Sequence, residues 1–232
     1  MERSDSSPVE VIDVAPGLWI WRLRHWEWRP GMDWDPIVTC TYVESGGERL
    51  VLDPLEPPSG AHEVWRRLDA KPPNAAVFLK PDHTSRLWSS ASPQDIGTLV
   101  PRYGCRCFLP DPARMEEASW QHEVMTKHVT LEYVPIGPGD ALPGGLLALD
   151  EGRGRYETPL WLPEQRAVVF ADALTERGGE LRVWNSTFHQ ERVIPALRSM
   201  LNLPFERVII SHGQPVHTRE AFERAMTLPA WP

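Results

Sequence analysis

The sequence is poor in cysteine and in long apolar runs. Only three of its 232 residues are cysteine, and Cys105 and Cys107 stand too close in the chain for an easy disulfide. Reduced thiols of a cytoplasmic protein are therefore the expectation. No segment approaches the roughly 18 consecutive apolar residues that a membrane-spanning helix needs, and residues 1–8 show no apolar signal region. We expect a cytoplasmic protein without a membrane partner.

An excess of positive charge is also missing. The formal net charge is -8, and only three of the 24 basic residues are lysine. A nucleic-acid surface needs clustered basic side chains that displace the counterions of the phosphates. The composition therefore argues against a nucleic-acid partner.

The apolar pattern predicts a single α/β domain over residues 1–232, with its core at about 9–227. Hydrophobic residues make up 41% of the chain, enough for a substantial core. The first half predicts strands at 9–23, a hairpin of 37–43 and 49–52, a helix at 61–68 and a strand at 75–79. The second half predicts strands at 146–149, 156–162, 167–170 and 208–210, and helices at 190–201 and 219–226. Two mixed sheets packed face to face, with helices on their outer faces, fit this order.

Three segments that follow apolar strands carry the acidic and imidazole side chains. They are Lys80-Pro81-Asp82-His83, Ala171-Asp172 and Ser211-His212-Gly213. A lone Asp or His at a strand end is more often a cap or a loop hydrogen-bonding group than a ligand. Together, however, the segments supply two carboxylates and two imidazoles at one edge of the sheets, a set that suits Zn²⁺, Mn²⁺ or Fe²⁺.

These segments resemble the metallo-β-lactamase superfamily over about residues 17–215. The resemblance includes Leu52-Asp53-Pro54, Asp82-His83, the stretch VVFAD at 168–172 and the stretch VIISHG at 208–213. It implies a four-layer αββα sandwich and a metal-dependent hydrolase-like site.

The resemblance also implies that one of the superfamily's two metal sites is lost. The three histidines that hold the first metal are replaced here by Phe78, Lys80 and Arg153. The ligands of the second metal are all retained: Asp82, His83 and His212, with Asp172 between the two sites. We therefore expect at most one divalent ion.

Two functions fit these residues. In the first, the protein is a metal-assisted hydrolase with Asp82 in the active site, in which Lys80 or Arg153 holds an anionic substrate group or a developing oxyanion. In the second, the protein binds no metal and is not an enzyme, because Lys80 and Arg153 neutralise the acidic pair Asp82 and Asp172. The cleft would then bind a partner or a small anionic ligand with an apolar body. The sequence leaves both interpretations open.

Eleven tryptophans are unusual for this length, and three of them, Trp26, Trp28 and Trp34, follow a predicted strand. Aromatic packing over a sheet edge is the simpler interpretation, and a hydrophobic lid over the metal cleft is the alternative. The remaining histidines lack ligand spacing and are expected at the surface or in packing: His25, His62, His122, His128 and His189. His217 is expected near the site but outside the ligand set.

Overall fold

The computed structural model describes residues 9–84, 96–115, 119–127, 129, 131–153 and 157–232. Seven strands form the first sheet in the order of the chain, antiparallel from β1 to β4 and parallel from β4 to β7. Their bounds are β1 Glu10–Ala15, β2 Leu18–Arg24, β3 Ile37–Ser45, β4 Glu48–Leu52, β5 Ala75–Val77, β6 Arg106–Pro110 and β7 Val134–Ile136.

The second sheet has the order β14-β13-β10-β9-β8, and only its β10 and β13 pair in parallel. Its strands are β8 Leu147–Ala148, β9 Leu160–Leu162, β10 Ala167–Val169, β13 Arg207–Ile209 and β14 Val216–Thr218. A separate antiparallel ribbon consists of β11 Leu174–Arg177 and β12 Glu180–Val183.

The helices are α1 His62–Ala70, α2 Ile96–Tyr103, α3 Trp120–Lys127, α4 Ile194–Ser199 and α5 Arg219–Ala225. In α1, Val64 and Leu68 are one turn apart, and both are buried against the first sheet. Leu197 of α4 and Phe222 of α5 pack in the same way against the second sheet. No helix within the described ranges is long and apolar enough to cross a membrane.

The main core lies between the two sheets. Leu50 and Leu52 of β4 point into it, as do Leu160 and Leu162 of β9, whereas Val51 faces the helices on the other side of its sheet. Each such side chain contributes about 1.5–3 kcal/mol when it is fully buried. The predicted αββα order of layers is therefore confirmed.

Several predicted boundaries differ from the structure. The helix predicted at 190–201 begins as a π-helical turn, His189–Val193, and α4 starts only at Ile194. Pro195 lacks the N–H of a regular helical hydrogen bond, which accounts for the irregular start. The strand predicted at 156–162 is confined to Leu160–Leu162, and residue 156 lies outside the described ranges. Strand β7 and the β11–β12 ribbon were not predicted.

Candidate functional site

The candidate site lies where parallel strands of both sheets end together. Strands β4 and β5 run parallel and lead into Asp53 and Lys80, and strands β10 and β13 run parallel and lead into Asp172 and His212. The backbone N–H of Thr39 donates to the Ser211 carbonyl at 3.0 Å, which links the first sheet to the loop after β13. The two edges therefore meet, and five predicted site residues lie near one another: Lys80, Asp82, His83, Asp172 and His212.

Lys80 bridges the two predicted carboxylates. Its Nζ donates to Asp82 Oδ2 at 2.7 Å and also to Asp172 Oδ2, and the residue is only 7% exposed. Burial alone would lower the pKa of Lys80, but Asp172 and Asp82 raise it above its ordinary value. Lys80 therefore remains an ammonium ion and satisfies one oxygen of each carboxylate.

His83 lies between two acidic side chains. Its Nδ1 is 2.9 Å from Asp53 Oδ2, and its Nε2 is 3.5 Å from Asp172 Oδ1. Burial alone would lower the pKa of His83, but the charges of Asp53 and Asp172 raise it well above its ordinary value. His212 approaches the same Asp172 oxygen, with its Nε2 at 3.2 Å. Without a metal ion, His83 is therefore an imidazolium that pairs with two carboxylates.

Asp53 was not assigned a role from the sequence, although its strand-end position is the same signal that identified Asp82 and Asp172. Its Oδ1 accepts the backbone N–H of Leu79 at 2.7 Å. The residue has a positive φ of 43°, a conformation that Asp tolerates better than most side chains. Asp53 therefore fixes both the start of the Lys80 loop and the orientation of the His83 ring.

Arg153 lies outside the place that the sequence predicts for it. Its Nε donates to Glu151 Oε2 at 2.6 Å and its Nη2 to Glu157 Oε2 at 2.8 Å, while Nη1 reaches only the backbone carbonyl of Asp172, at 3.1 Å. The side chain has no exposed surface, and it is absent from the described residues that line the cavity. Its predicted catalytic role is therefore wrong. Its charge is matched first by Glu151 and Glu157 and only then by Asp172, so the predicted neutralisation of the Asp82–Asp172 pair falls mainly to Lys80.

Glu157 connects this buried network to the site. It accepts the backbone N–H groups of Ala171 and Asp172, both at 2.8 Å. Burial raises the pKa of Glu157 to about 7, although Arg153 opposes the shift. The network therefore holds the backbone beneath Asp172, whose carboxyl pKa burial would raise but Lys80 and His83 keep well below its usual range.

At the floor of the site, Asp82 Oδ1 is buried and has no hydrogen-bond donor in the described part of the chain. Asp172 Oδ1 is buried as well and faces the imidazole Nε2 atoms of His83 and His212. Asp82, His83 and Asp172 each offer one ligand atom within 4.8 Å of the others. Oxygen and imidazole nitrogen form a donor set that suits Zn²⁺, Mn²⁺ or Fe²⁺. These residues fit a single divalent ion, and the predicted metal role of the set, with His212 beside it, stays a prediction.

A cavity of about 660 Å³ opens above these groups. Its walls are largely apolar, with Trp26, Met32 and Trp34 from the loop after β2 and Trp184 from the end of β12. The ring of Trp34 meets that of His212 edge-on at 5.4 Å between centroids. Trp28 instead donates its Nε1–H to the Trp34 carbonyl at 2.7 Å, within the loop. Two of the three tryptophans therefore line the cavity, and the third stabilises the loop that carries them.

His25 is a second cavity residue, after Asp53, that was given no role from the sequence, since it was expected at the surface or in packing. It follows β2 directly and lines the cavity together with His83 and His212. A histidine beside a tryptophan-rich segment was the only local signal. His25 reaches the cavity only because residues 25–36 fold over it, and the sequence alone does not show the path of that loop.

No protein-family profile matches the sequence, and no curated protein sequence matches it. Solved structures do match. The metallo-β-lactamase FIM-1 from Pseudomonas aeruginosa, in its mono-zinc form, superposes with a TM-score of 0.64 at 18% identity and covers 95% of this chain and 94% of its own. The metallo-β-lactamase from Hirschia baltica gives 0.64 at 15% identity, with 95% and 97% covered. TTHA1623 in a di-iron-bound form gives 0.56 at 21% identity, with 81% and 93% covered. The chain therefore has the metallo-β-lactamase fold.

Proposed function

We propose that the protein is a hydrolase that binds one divalent metal ion through Asp82, His83, Asp172 and His212. The observation that carries this proposal is the division of the carboxylate oxygens at the floor of the cavity. Lys80 takes Oδ2 of both Asp82 and Asp172, whereas Asp82 Oδ1 has no donor among the described residues and Asp172 Oδ1 faces only the imidazoles of His83 and His212. A buried carboxylate oxygen without a donor is costly, and a cation removes that cost.

A bound divalent ion would supply a water molecule of lowered pKa, which is the nucleophile that hydrolysis needs. The chain itself contributes a fixed geometry. Lys80 orients both carboxylates, and its ammonium group is a permanent positive charge at the cavity floor, suited to stabilise negative charge on a substrate oxygen. Glu157 and Arg153 hold the Asp172 backbone from below.

The cavity supports a small-molecule substrate with an apolar body. Its volume is within the range of sites for small ligands, and Trp26, Trp34 and Trp184 give it aromatic walls. Apolar walls also exclude water from the charged floor, which strengthens electrostatic interactions there.

A second candidate function, a binding protein without metal, is favoured by one specific observation. Lys80 and the imidazolium of His83 together place two positive charges among Asp53, Asp82 and Asp172. Such a cluster is close to neutral without an added ion. In this alternative, the same cavity binds its ligand and no bond is cleaved.

Metal content and turnover measured together test the two candidates. Protein purified without chelator is analysed for bound metal and assayed with 4-nitrophenyl acetate, before and after addition of Zn²⁺, Mn²⁺ or Fe²⁺. The hydrolase predicts a bound ion and metal-dependent turnover that His83→Ala lowers by more than about 100-fold, since even residues that only orient ligands cost 10–100-fold. His62→Ala, on exposed α1, is the matched control and should change neither quantity. Metal-free protein without turnover would instead support the binding protein.

A further inference from the structure

His25 is held rigidly at the base of the loop 25–36. Its backbone N–H donates to the Pro36 carbonyl at 2.8 Å, which closes the loop. Its ring stacks on Trp26 with 5.7 Å between centroids and an interplanar angle of 17°, and it meets the edge of Trp34 at 5.0 Å. The imidazole therefore has one orientation in the cavity wall.

The hydrogen bonds of His25 fix which ring nitrogen carries the proton. Nδ1 accepts the backbone N–H of Glu27 at 3.2 Å, so in the neutral ring the proton is on Nε2. Burial, and after it the charges of His83 and His212, lowers the pKa of His25 to about 4, which keeps the ring neutral near pH 7. Within the described ranges no residue accepts a hydrogen bond from His25 Nε2.

A second aromatic N–H in the same wall has no acceptor either. Trp26 Nε1 is buried and without a hydrogen-bond partner among the described residues, and Trp26 stacks directly on His25. Buried N–H donors almost always have an acceptor in a native structure. The buried Trp26 donor, beside the His25 Nε2–H on the wall of the same cavity, therefore points to an acceptor that a ligand brings.

The charges around the cavity favour an uncharged acceptor. Among the described residues, two basic side chains, Lys80 and Arg29, line it, and Lys80 is already paired with two carboxylates. Five acidic residues of the same described set line it as well: Glu27, Asp33, Asp53, Asp82 and Asp172. Even with His83 as an imidazolium, these described lining residues carry more negative than positive charge. A carbonyl oxygen accepts the same hydrogen bonds as a carboxylate without that repulsion.

We propose that the cavity takes an uncharged carbonyl compound, an ester, amide or ketone, whose oxygen accepts hydrogen bonds from His25 Nε2 and Trp26 Nε1. Its apolar or aromatic body lies against Trp34. This ligand class departs from the anionic ligand expected from the sequence, because Arg153 does not reach the cavity. The inference rests on the cavity that the proposed function uses, and it names the class of substrate.

Equilibrium dialysis with three naphthalene probes tests the inference without any turnover. The probes are 2-acetylnaphthalene, which carries a carbonyl, 2-ethylnaphthalene, which has nearly the same shape without it, and the anion 2-naphthoate. The wild-type protein should bind the ketone about 25-fold more tightly than the hydrocarbon, as expected for two net hydrogen bonds that contribute about fivefold each, and more tightly than the anion. None of the probes can be hydrolysed, so a protein that fails the ester assay can still pass this test.

The variants assign the effect to the two donors. His25→Phe keeps an aromatic ring without an N–H and should weaken ketone binding about fivefold while it leaves the hydrocarbon unchanged. Trp26→Phe should do the same independently, and His25→Gln, which restores an N–H near Nε2, should recover part of the preference. His62→Phe is the matched control, with no effect expected.

Each contrary result overturns a defined part of the inference. Equal affinity of the wild type for ketone and hydrocarbon rules out the two donors as the recognition element. Tighter binding of 2-naphthoate than of the ketone rules out the uncharged class. Failure of all three probes to bind rules out a ligand with an aromatic body.

Discussion

At the scale of single residues, one ammonium group controls the charge at the floor of the cavity. We predict that Lys80→Met lowers the free energy of unfolding by about 3–5 kcal/mol, because it leaves two carboxylates that are 19% and 17% exposed without their shared counter-charge. Urea denaturation measures this. The matched control is Lys71→Met, whose pair with Glu44 is 61% exposed on the lysine side and should cost about 1 kcal/mol or less.

Adding Asp82→Asn to Lys80→Met separates the two candidate functions. In a metal-free protein the double variant should regain stability, since one of the two uncompensated charges is gone and Asp172 still has His83 beside it. In a protein with bound metal it should lose more, because a ligand is deleted. Additive effects in every combination would mean that Lys80 and Asp82 do not interact, contrary to the hydrogen bond between them.

Lys80 and Arg153 also show what could be predicted at this scale. Lys80 precedes Asp82 by two residues, and its contact with the acidic pair was predicted from the resemblance, which puts Lys80 in place of a histidine of the first metal. Arg153 was expected in the same cluster. Its partners Glu151 and Glu157 belong to the segment between β8 and β9, and only the folded path of that segment turns all three side chains into the interior. Position at a strand end is visible in a sequence, whereas competition between nearby carboxylates is not.

At the scale of elements, the β3–β4 hairpin is joined to the segment before β8 by close backbone contact. Ser45 Oγ donates to the Gly144 carbonyl at 2.6 Å, and a Cβ on Gly144 would lie 2.7 Å from the Ser45 carbonyl oxygen. Gly144 also has a φ of 74°. We predict that Gly144→Ala costs about 2–4 kcal/mol, the sum of left-handed strain and steric displacement.

Gly145 supplies the control for this prediction, because its φ of 75° is almost the same and a Cβ there would meet nothing within 4 Å. Gly145→Ala should therefore cost only the conformational part, about 1–2 kcal/mol. Urea denaturation of both variants gives the difference. Equal losses would show that the contact between Gly144 and Ser45 contributes nothing.

The loop 25–36, which carries the tryptophans, is fixed by one arginine of β11. Arg177 donates to the Asp33 carbonyl at 2.6 Å and pairs with the Asp35 carboxylate. We predict that Arg177→Gln makes the backbone amides of residues 25–36 exchange about fivefold faster in hydrogen exchange, which corresponds to about 1 kcal/mol of local stability. Global stability should change by about 1 kcal/mol or less, because the Asp35 side chain is 40% exposed.

Arg182→Gln on the neighbouring β12 is the control, since Arg182 pairs with Glu180 and donates to the Pro229 carbonyl, away from the loop. Unchanged exchange in Arg177→Gln would mean that the tryptophan rings alone hold the loop.

The loop 25–36 also shows what the sequence could not predict at this scale. The hairpin of β3 and β4 was evident from its alternation and glycine turn, but a loop without periodicity gives no sign of the surface it covers.

At the scale of the whole molecule, the order of layers could be predicted because the hydrophobic periodicity of each strand and helix is a local property of the sequence. It shows which face of each element is buried, whatever partner that face packs against.

The fold is shared with lactamases such as FIM-1, but a shared fold does not imply a shared reaction. We predict no hydrolysis of a chromogenic cephalosporin above the rate of the His83→Ala variant, because the residues implied to hold the superfamily's first metal are replaced. Turnover that disappears in His83→Ala would contradict this.

The number of metal ions per molecule follows from the residues at three positions. Phe78 is fully buried in the core, Lys80 is an ammonium ion whose charge is bound to two carboxylates, and the Arg153 guanidinium offers no lone pair and is held between two glutamates. None of the three can act as a metal ligand.

We therefore predict that a calorimetric titration with Zn²⁺ saturates at one ion per chain and that His83→Ala removes that binding, whereas His62→Ala leaves it intact. Occupancy should also raise the melting temperature in proportion to the logarithm of free Zn²⁺ above the dissociation constant, since only the folded chain assembles the ligands. Two ions per chain that survive dialysis would mean that a second ligand set exists, and that Lys80 moves away from Asp82 and Asp172 to make room for it.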